Sequence, residues 1–420
     1  EEGTLGCGLG QRMSTGSKGI ARPTIEIENT GERHTIDGVE LEFVYVLDTE
    51  APVEIMVWIP QLKAFCTAED MTHNMHNLQT LRGAKVRNGL LWSKAVDTAI
   101  ERYGNQVEVS FSTHHWPTWG NERIVDYWEA QRDMYRYLHD QTLHLANRGL
   151  TPDEIAEEMK LPASLSSQFN CRGYYGTLSH NVKAQYDLYF GWFNGNPAHL
   201  NPLPPSELGA KYVEAIGGAD KVLEVAKASY AKGEYRWVAT LLDNLVFAEP
   251  ENKEARQLLA DTYTQLGYQA ESGPWRNFYL TGARDLFKKD VPYTSQLIND
   301  GVLAQMDMGT LLDYCAIQLN GEKAAGKKAV ININFTDTKE KVMLMLNNGV
   351  LNHRLDSQYE KADLTLEIEK MNFVKLFFGR TDLQTLLKTD KVKTTGNTQA
   401  MDVICSAYEP ADPNFKIVLP

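Results

Sequence analysis

Short runs rich in β-branched and aromatic residues recur through the first 120 positions of the chain. Four of these runs predict strands, and most of them end at an Asp, Pro or Gly signal: ELEFVYVL (Glu40–Leu47), VEIMVWI (Val53–Ile59), LKAFCT (Leu62–Thr67) and VEVSFST (Val107–Thr113). Apolar residues at helical spacing predict helices over Met71–Gly83 and Leu90–Gly104. Strands that alternate with helices indicate a layered α/β domain.

Residues 121–287 show helical periodicity almost throughout. Apolar and aromatic side chains recur every three or four positions until Gly149, which stops the pattern. Thr151 then directly precedes Pro152 and stands three positions before Glu154. This order predicts a further helix that begins at Pro152, with Thr151 and Glu154 forming a capping box.

A spacing of 34 positions recurs later in this helical region. Tyr230 and Gly233 occupy one helix and its turn, and Tyr263 and Gly267 occupy the next. Gly233 and Gly267 stand 34 positions apart, which is the tetratricopeptide period, and repeats of this kind usually build interfaces. The alternative is an ordinary helical hairpin, because one repeat and a half is a short array.

Residues 288–420 return to a mixture of helix and strand. The pattern predicts a helix in MGTLLDYCAIQLNG, a strand in AVININF, and a hairpin at Asn348-Gly349, a pair that favours a tight turn. ADLTLEIEKMNFVKLFFG passes from strict alternation to helical spacing. Apolar side chains on the last helices form either core or the wall of a pocket for an alkyl chain: Leu376, Phe377, Phe378, Leu383, Leu386 and Leu387.

Composition and charge narrow the class of protein. The chain has 420 residues, 43% of them hydrophobic, which is enough for two or three domains. No run approaches the ~18 apolar residues of a membrane span. A net charge of −13 argues against a nucleic-acid partner. The five cysteines lie far apart without a CxxC pair, so neither a disulfide framework nor a cysteine zinc site is expected.

Three potential metal ligands follow predicted strands. Glu50 lies in LDTEAPVE, Glu69 in CTAED and His114 in FSTHHWPTWG. Ligands of open α/β sheets gather outside the carboxyl ends of the strands, so these side chains are expected to converge. Two carboxylates and an imidazole suit Zn²⁺. The alternative is that they are solvated turn residues.

His114 and His115 stand side by side in the sequence. Neighbouring side chains of an extended chain point to opposite faces, so both can reach one site only through a local distortion. One of them is therefore expected to be a ligand or an acid/base group, and the other to support or pack against it.

The predicted helix after Glu69 carries further polar groups. His73, His76, Asn77 and Arg82 would all reach a metal edge if that helix packs beside it. An arginine fork matches a tetrahedral oxyanion, and an asparagine adds a neutral donor, so the group would hold a sulfate or phosphate ester. The alternative is that Arg82 pairs with one of the many carboxylates and the histidines are surface residues.

Four long motifs in the chain carry a resemblance to one known family: FCTAEDMTHNMHNLQTLRGAKVRN, STHHWPTWGNERIVDYWEAQRDMYRYLHDQTL, CRGYYGTLSHNVKAQYDLYFGWFNGNPAHLNPLPP and GEYRWVATLLDNLVFAEPENKEARQLLADTYTQLGYQ. Through them the chain is similar to the bacterial alkylsulfatases of the metallo-β-lactamase superfamily over essentially its whole length. The resemblance implies an α/β and α+β multidomain protein, with a partial metallo-β-lactamase-like αββα domain at 1–120, a helical dimerisation domain with a tetratricopeptide-like repeat at 121–287, and a sterol-carrier-protein-like α/β domain at 288–420.

The family also implies roles at a two-zinc centre. Glu50 resembles the carboxylate ligand of one zinc ion, and Glu69 resembles the bridging carboxylate and is expected to be catalytic. His114 resembles the imidazole ligand of the second zinc ion. His115 is then structural or supports the ligands.

Further roles follow from the same resemblance. Asn77 and Arg82 match the pair that holds the sulfate group. The motif around Tyr175, His180 and Tyr186 resembles a stretch that lines the active site from the helical domain. It implies substrate binding for Tyr175 and a catalytic role for His180 and Tyr186.

One family motif does not occur in the sequence. The H-x-H-x-D-H loop, which supplies most of the zinc ligands in the family, is found nowhere in these 420 residues. We therefore expect the chain to be the C-terminal portion of a longer enzyme, to depend on a missing upstream segment of the catalytic domain, and to bind zinc poorly or at one site by itself.

The resemblance implies a function for the complete enzyme. It would form a homodimer and hydrolyse alkyl sulfate esters such as dodecyl sulfate to alcohol and inorganic sulfate, with two Zn²⁺ per active site. The family also implies a periplasmic or secreted location. The alternatives are a metallo-β-lactamase-type hydrolase of another ester, and a non-catalytic fragment that dimerises and binds lipid.

Overall fold

The computed structural model describes residues 3–7, 19–21, 23–287, 299–412 and 414–420. The chain divides into two compact units. The first comprises Glu1–Met13, Ile25–Lys289 and Lys416–Pro420, and the second comprises Ser14–Thr24 and Asp290–Phe415. The division into three domains at residues 120 and 287 stays a prediction, and residue 288, where the third domain was expected to begin, lies outside the described residues.

A six-stranded sheet with strand order β1-β2-β3-β4-β5-β6 opens the first unit. Its strands are β1 Arg33–Ile36, β2 Val39–Leu47, β3 Val53–Ile59, β4 Ala64–Cys66, β5 Val109–Phe111 and β6 Thr118–Trp119. Neighbouring strands are antiparallel except β4 and β5, which are parallel and are connected through helix α1 (Gly89–Tyr103). The predicted strands and the second predicted helix are therefore confirmed.

The strand directions bring the carboxyl ends of three strands to the same edge of the sheet. Because β2 and β4 are both antiparallel to β3, they run the same way, and β5 is parallel to β4. The carboxyl ends of β2, β4 and β5 therefore lie at one edge of the sheet. Glu50, Glu69 and His114 follow these three strands.

The segment Met71–Gly83 is not a helix, so that prediction is wrong. It runs as turns and extended chain, and its backbone groups bond to distant parts of the fold instead of to each other. The Met75 N–H donates to the Arg172 carbonyl, and the Leu78 N–H donates to the Asn181 side chain. Histidine, asparagine and threonine, which crowd this segment, form such non-helical bonds readily.

Nine helices of the described residues complete the first unit: α2 Asn121–Ala146, α3 Pro152–Glu158, α4 Ala163–Ser166, α5 Leu178–Phe190, α6 Pro205–Ile216, α7 Ala219–Ala231, α8 Tyr235–Ala248, α9 Lys253–Gln269 and α10 Gly273–Asp285. Helix α3 begins at Pro152, and both halves of the Thr151/Glu154 capping box are formed, as predicted. Helices α1 and α2 cover the inner face of the sheet, where Phe65, Trp92 and Trp128 are fully buried, and α5 packs against α2.

The two glycines of the 34-position spacing have different surroundings. Gly233 lies in the turn between α7 and α8 with a φ of 78°, as a repeat turn requires. Gly267 lies inside α9. A Cβ there would come within 3.1 Å of Leu280 and 3.3 Å of the Arg276 carbonyl on α10. This glycine therefore allows α10 to approach closely, and the prediction that it occupies a repeat turn is wrong.

The second unit carries a five-stranded sheet with strand order β11-β10-β7-β8-β9. Its elements are α11 Asp300–Gln305, α12 Met308–Ile317, α13 Gly321–Ala324, β7 Ala329–Phe335, β8 Lys341–Asn347, β9 Val350–Leu355, β10 Leu364–Ile368, α14 Lys370–Phe377, α15 Leu383–Lys388, β11 Val392–Gly396 and α16 Gln399–Cys405. Asn348 and Gly349 form the β8–β9 turn with φ values of 54° and 79°, which confirms the predicted hairpin.

The apolar positions offered as the wall of an alkyl pocket are core instead. Leu376, Phe377, Leu383 and Leu386 are each less than 5% exposed and belong to the hydrophobic core of the second unit. Phe378 and Leu387 pack against that core. Of the two alternatives, the prediction that these residues form core is confirmed.

The predicted α/β and α+β multidomain fold class is confirmed. The six-stranded sheet lies in the part expected to be the partial metallo-β-lactamase-like domain, and the five-stranded sheet lies in the part expected to resemble sterol carrier proteins. Among the described residues, no helix combines the length and the apolar character needed to cross a bilayer.

Candidate active site

Glu69 and His114 meet at the edge of the six-stranded sheet. The His114 Nε2 atom lies 2.6 Å from Glu69 Oε1. Burial acts to raise the pKa of Glu69, but the imidazoles of His76 and His114 outweigh it and hold that pKa below its usual value. The sequence therefore predicted correctly that side chains from different strand ends converge here.

His76 completes this cluster from the irregular segment after Glu69. Its Nε2 lies 3.8 Å from Glu69 Oε2, and Glu50, Glu69 and His76 offer donor atoms that all lie within 4.8 Å of one another. Burial, with the nearby charge of Arg87, lowers the pKa of His76 to about 4. The imidazole is thus neutral near pH 7, which is the form that coordinates metals.

Arg87 connects two of the predicted site residues. Its guanidinium forms an ion pair with Glu50 and donates to the Asn77 side-chain oxygen, and its Nε donates to the Glu50 carbonyl at 2.5 Å. Burial raises the pKa of Glu50 although Arg87 opposes the shift. Arg87 therefore fixes Glu50 and Asn77 relative to each other.

A cleft of about 630 Å³ contains these groups. The residues that line it include Glu50, Glu69, His76, Arg82 and His114. A cation, two carboxylates and two imidazoles thus face one space large enough for a small anionic ester.

Asn77 and Arg82, the predicted sulfate-binding pair, have different surroundings. Arg82 lines the cleft, and the charge of its guanidinium reaches Glu50. Asn77 is 3% exposed, and its oxygen accepts from Arg87. The structure therefore presents the arginine to the cleft and holds the asparagine within the cleft wall, and their role in binding stays a prediction.

Two further carboxyl groups lie behind the cleft. Glu54 Oε1 accepts from the Glu69 N–H at 3.0 Å, and Asp70 is fully buried beside it. Burial, together with the charges of Glu50 and Glu69, raises the pKa of Glu54 to about 7. Burial and the charge of Glu54 also raise the pKa of Asp70. A cation bound at the cleft would favour the ionised forms of these two groups, because a nearby opposite charge lowers the pKa of a carboxyl group.

His115 has the local distortion that two adjacent histidines at one site require. Its φ is 69°, in the left-handed region. Its Nε2 lies 2.9 Å from the Asn74 amide nitrogen, and its ring stands edge-on to His73 and Trp116. His115 therefore packs at the rim of the cleft, and His114 faces Glu69.

Helix α5 holds the irregular segment that carries these groups. Asn181 donates to the His76 carbonyl at 2.9 Å and accepts from the Leu78 N–H at 2.8 Å. Gln185 donates to the Arg87 carbonyl at 2.9 Å. Buried side chains of α5 thus replace the helical hydrogen bonds that this segment lacks.

The three site residues predicted around α5 are not brought to one place. Tyr175 lines the cleft, with its ring 4.8 Å from that of His76. His180 donates from Nε2 to the Gln79 carbonyl at 2.7 Å, and its Nδ1 accepts from the Trp275 N–H at 2.9 Å. Tyr186 is 8% exposed and belongs to the core. Both ring nitrogens of His180 are engaged, so its geometry suits positioning of the backbone.

The donor set fits a divalent cation. Carboxylate oxygens and neutral imidazole nitrogens are the ligands that Zn²⁺ accepts, and Glu50, Glu69, His76 and His114 offer both kinds. One oxygen of Glu50 pairs with Arg87, which leaves the other for a cation.

The residues that complete the site differ in how far they were predictable from sequence. His76 was recognised as a polar residue near the metal edge, but only the folded chain places it against Glu69. Arg87 was missed, because a lone arginine in AKVRN carries no pattern that distinguishes it from a surface cation.

Comparisons with known proteins agree on one family. The family described as alkyl sulfatase dimerisation matches residues 151–289, and the family described as alkyl sulfatase C-terminal matches residues 296–420. A linear primary-alkylsulfatase from Pseudomonas sp. is 45% identical over 100% of this chain and 62% of its own length. A second linear primary-alkylsulfatase, from another Pseudomonas strain, is 31% identical over 97% of this chain and 78% of its own length.

A solved structure agrees with these matches. The stereoselective inverting sec-alkylsulfatase of Pseudomonas sp. superposes with a TM-score of 0.92 at 42% identity, over 95% of this chain and 63% of that one. The chain thus spans 62% of the first relative and 63% of the solved protein. The similarity extends over almost every residue of this chain, in sequence and in fold, and the chain belongs to the alkylsulfatase family.

Proposed function

We propose that the complete protein hydrolyses alkyl sulfate esters such as dodecyl sulfate to an alcohol and inorganic sulfate. The observation that carries the proposal is that Arg82 shares one cleft with Glu50, Glu69, His76 and His114. The names of the relatives support it, since the first is a linear primary-alkylsulfatase. Two classes of group, an anion-binding cation and a set of metal-binding donors, then face the same substrate.

The chain's own residues have distinct tasks in this proposal. Arg82 binds the sulfate oxygens through its planar fork. Glu50, Glu69 and His114 are the assigned metal ligands, and His76 is a further candidate because its donor atom lies close to those of Glu50 and Glu69. Zn²⁺ supplies positive charge near the ester and an acidified water when bound. Arg87 keeps Glu50 in place, and Asn181 keeps the His76 backbone in place.

A two-zinc centre takes more donors than the part of the chain that the structure describes brings together at this cleft. The four donors named above are too few for two closed zinc coordination shells, each of which takes three or four protein ligands. We therefore assign the remaining ligands of a two-zinc centre to an upstream segment of the catalytic domain.

The active form is proposed to be a homodimer. Residues 151–289 match the alkyl sulfatase dimerisation family, and Tyr212 and Trp237 of this region are 50% and 49% exposed. Large exposed aromatic side chains are typical of protein interfaces. Light scattering at micromolar concentration should give the mass of two chains, and a monomer would contradict this part of the proposal.

A periplasmic or secreted location completes the proposal. It rests on the family resemblance alone. Cell fractionation with an antibody against the C-terminal unit tests it, and recovery of the protein only with cytoplasmic markers would exclude it.

The main experiment measures sulfate release from dodecyl sulfate by the complete protein. Arg82→Ala should lower kcat/KM by a factor equivalent to about 2–5 kcal/mol, chiefly through KM, because the bound ester would cover this exposed side chain and its truncation would leave the sulfate group without a charged partner. Glu69→Gln should lower metal content and turnover together, since a charged ligand is lost. The matched controls are Arg148→Ala and Glu158→Gln, which change exposed residues of the helical region.

Absence of sulfate release from dodecyl sulfate would remove the proposed activity. It would leave the alternative of a fragment that dimerises and binds lipid, or of a hydrolase for another ester. Full activity of the Arg82 variant, or full metal content and turnover of the Glu69 variant, would remove that residue from the site.

A further inference from the structure

A second concavity of the first unit is almost purely apolar. It encloses about 310 Å³, and six of the residues that line it are Leu81, Tyr263, Trp275, Phe278, Gly282 and Val418. None of its lining residues carries a charge. We call it the aromatic groove. Such a surface has no chemistry for a polar ligand and favours hydrocarbon.

The aromatic groove and the cleft share one turn of the backbone. Leu81 lines the groove, and the next residue, Arg82, lines the cleft. The Gly83 N–H donates to the Thr80 carbonyl at 3.0 Å and closes this turn. A ligand with a charged head and an apolar tail would therefore place its head near Arg82 and its tail near Leu81, which are consecutive residues.

A hydrogen-bonded chain connects the groove to this turn. The Trp275 N–H donates to His180 Nδ1 at 2.9 Å, and His180 Nε2 donates to the Gln79 carbonyl at 2.7 Å. The indole that lines the groove is thus fixed relative to the segment that carries Arg82. These two hydrogen bonds therefore fix the position of the groove relative to the cleft.

A glycine lines the groove at a helical position. Gly282 lies inside α10, where alanine is the better helix former. A Cβ at this position would lie 3.5 Å from Tyr263 and 3.6 Å from Val418, which is ordinary contact. A methyl group is therefore tolerated here, and a larger side chain would compete with a ligand for the groove.

The other candidate surfaces for a hydrocarbon chain fit less well. The apolar residues around Leu376 and Phe377 are core. A further concavity near the cleft is lined by Trp116, Trp119 and Phe169, but Arg123 and Asp126 also line it.

We propose that the aromatic groove binds the hydrocarbon chain of the substrate, with its sulfate group at Arg82, and sets the preference for chain length. This inference rests on the proposed function. Each methylene buried in the groove should tighten binding about fourfold. Short alkyl sulfates reach only the cleft, and longer ones reach the groove.

The test compares n-butyl sulfate with n-octyl sulfate, both below micelle formation, by titration calorimetry on the complete protein kept free of metal by a chelator, so that neither ester is hydrolysed. The octyl ester should bind on the order of 100-fold more tightly, since it has four more methylenes to bury. Gly282→Leu should fill the groove and lower this ratio at least tenfold, and Gly282→Ala should lower it less. Affinity for inorganic sulfate should not change.

Two further variants distinguish loss of the groove from a general loss of folding. Phe278→Ser alters a residue that is 51% exposed, so it should fold normally and still lower the octyl preference. Gly321→Leu is the matched control, because Gly321 is exposed at the start of α13 in the other unit and should leave the ratio unchanged.

The outcomes separate this inference from the proposed function. An unchanged octyl preference in both Gly282→Leu and Phe278→Ser, or no octyl preference at all, would overturn the groove assignment even if the complete protein hydrolyses alkyl sulfates. A preference that falls in Trp119→Ala instead would assign the chain to the other concavity. If the preference falls as expected but no hydrolysis is found, the groove stands and the proposed activity fails.

Discussion

The two sheets of the molecule differ in the faces that they turn away from their helices. In the six-stranded sheet, one cross-strand row outside the hydrophobic core is entirely apolar: Phe43, Val57, Cys66 and Phe111. On the corresponding face of the five-stranded sheet one row is entirely polar, and the neighbouring rows mix polar with apolar residues. The polar row comprises Lys393, Glu367, Asn334 and Lys341. The apolar face continues through Leu47, Val53 and Ile55, which are 49%, 54% and 37% exposed.

This difference indicates which faces of each sheet need a covering layer. A sheet with one apolar face and one polar face needs a single layer of cover, whereas a sheet with two apolar faces needs cover on both. A contiguous exposed apolar face marks an interaction surface. We infer that the five-stranded sheet is complete with its own helices, and that the six-stranded sheet requires a further layer, which we assign to the proposed upstream segment.

The chain allows each sheet to be followed separately. All eight tryptophans lie in the first unit: Trp58, Trp92, Trp116, Trp119, Trp128, Trp192, Trp237 and Trp275. Tryptophan fluorescence therefore reports unfolding of the first unit. Circular dichroism reports both units, so a transition that it shows at a denaturant concentration where fluorescence does not change belongs to the second unit.

The largest effect is expected in the core of the complete sheet. Phe373 is fully buried against Phe335 and Phe377, so Phe373→Ala should destabilise the second unit by about 3–5 kcal/mol. Denaturant unfolding followed by circular dichroism measures it, and tryptophan fluorescence should not move. The control is Phe415→Ala at a 69% exposed position, where about 0.5 kcal/mol or less is expected. Equal effects would show that this core is not the source of stability.

Two neighbours on β3 distinguish the inner and outer faces of the other sheet. Met56 is fully buried and Ile55 is 37% exposed. In this chain Met56→Ala should cost about 2–5 kcal/mol, whereas Ile55→Ala should cost less than about 1 kcal/mol. In the complete protein the Ile55 effect should rise toward that of Met56, because a second layer would bury it. The same small Ile55 effect in both proteins would argue against such a layer.

A smaller loss of stability is expected when the glycine of either hairpin turn is replaced by alanine. Asp37-Gly38 and Asn348-Gly349 both close hairpins with positive φ. A Cβ on Gly38 would meet nothing within 4 Å, whereas a Cβ on Gly349 would lie 3.0 Å from the Gly321 carbonyl oxygen. Gly38→Ala should therefore cost about 1 kcal/mol from backbone strain alone, and Gly349→Ala about 2 kcal/mol. The reverse order in denaturant unfolding would mean that the contact at Gly349 relaxes freely.

Local signals predicted much of the fold. The strands, the Asn348-Gly349 hairpin and the Thr151 capping box all depend on residues close in sequence, and the structure confirms them. The Met71–Gly83 helix was wrong because Asn181 and Arg172, about 100 positions away, bind its backbone. Gly267 was misassigned for a similar reason, since its surroundings depend on the packing of α10.

The candidate site was predictable only in part. The rule that ligands gather at strand ends correctly brought Glu69 and His114 together. It could not predict Arg87, which acts through Glu50 and Asn77 and is recognised only from its contacts. The role of each site residue stays a prediction until it is measured.

Zinc content after dialysis, measured by mass spectrometry, tests directly whether this chain carries one part of a two-zinc site. The 420-residue chain and the complete protein are measured side by side. We expect two zinc ions per chain in the complete protein and one or fewer in the shorter chain, because the remaining ligands are assigned to the upstream segment. Two tightly bound zinc ions in the 420-residue chain alone would contradict it.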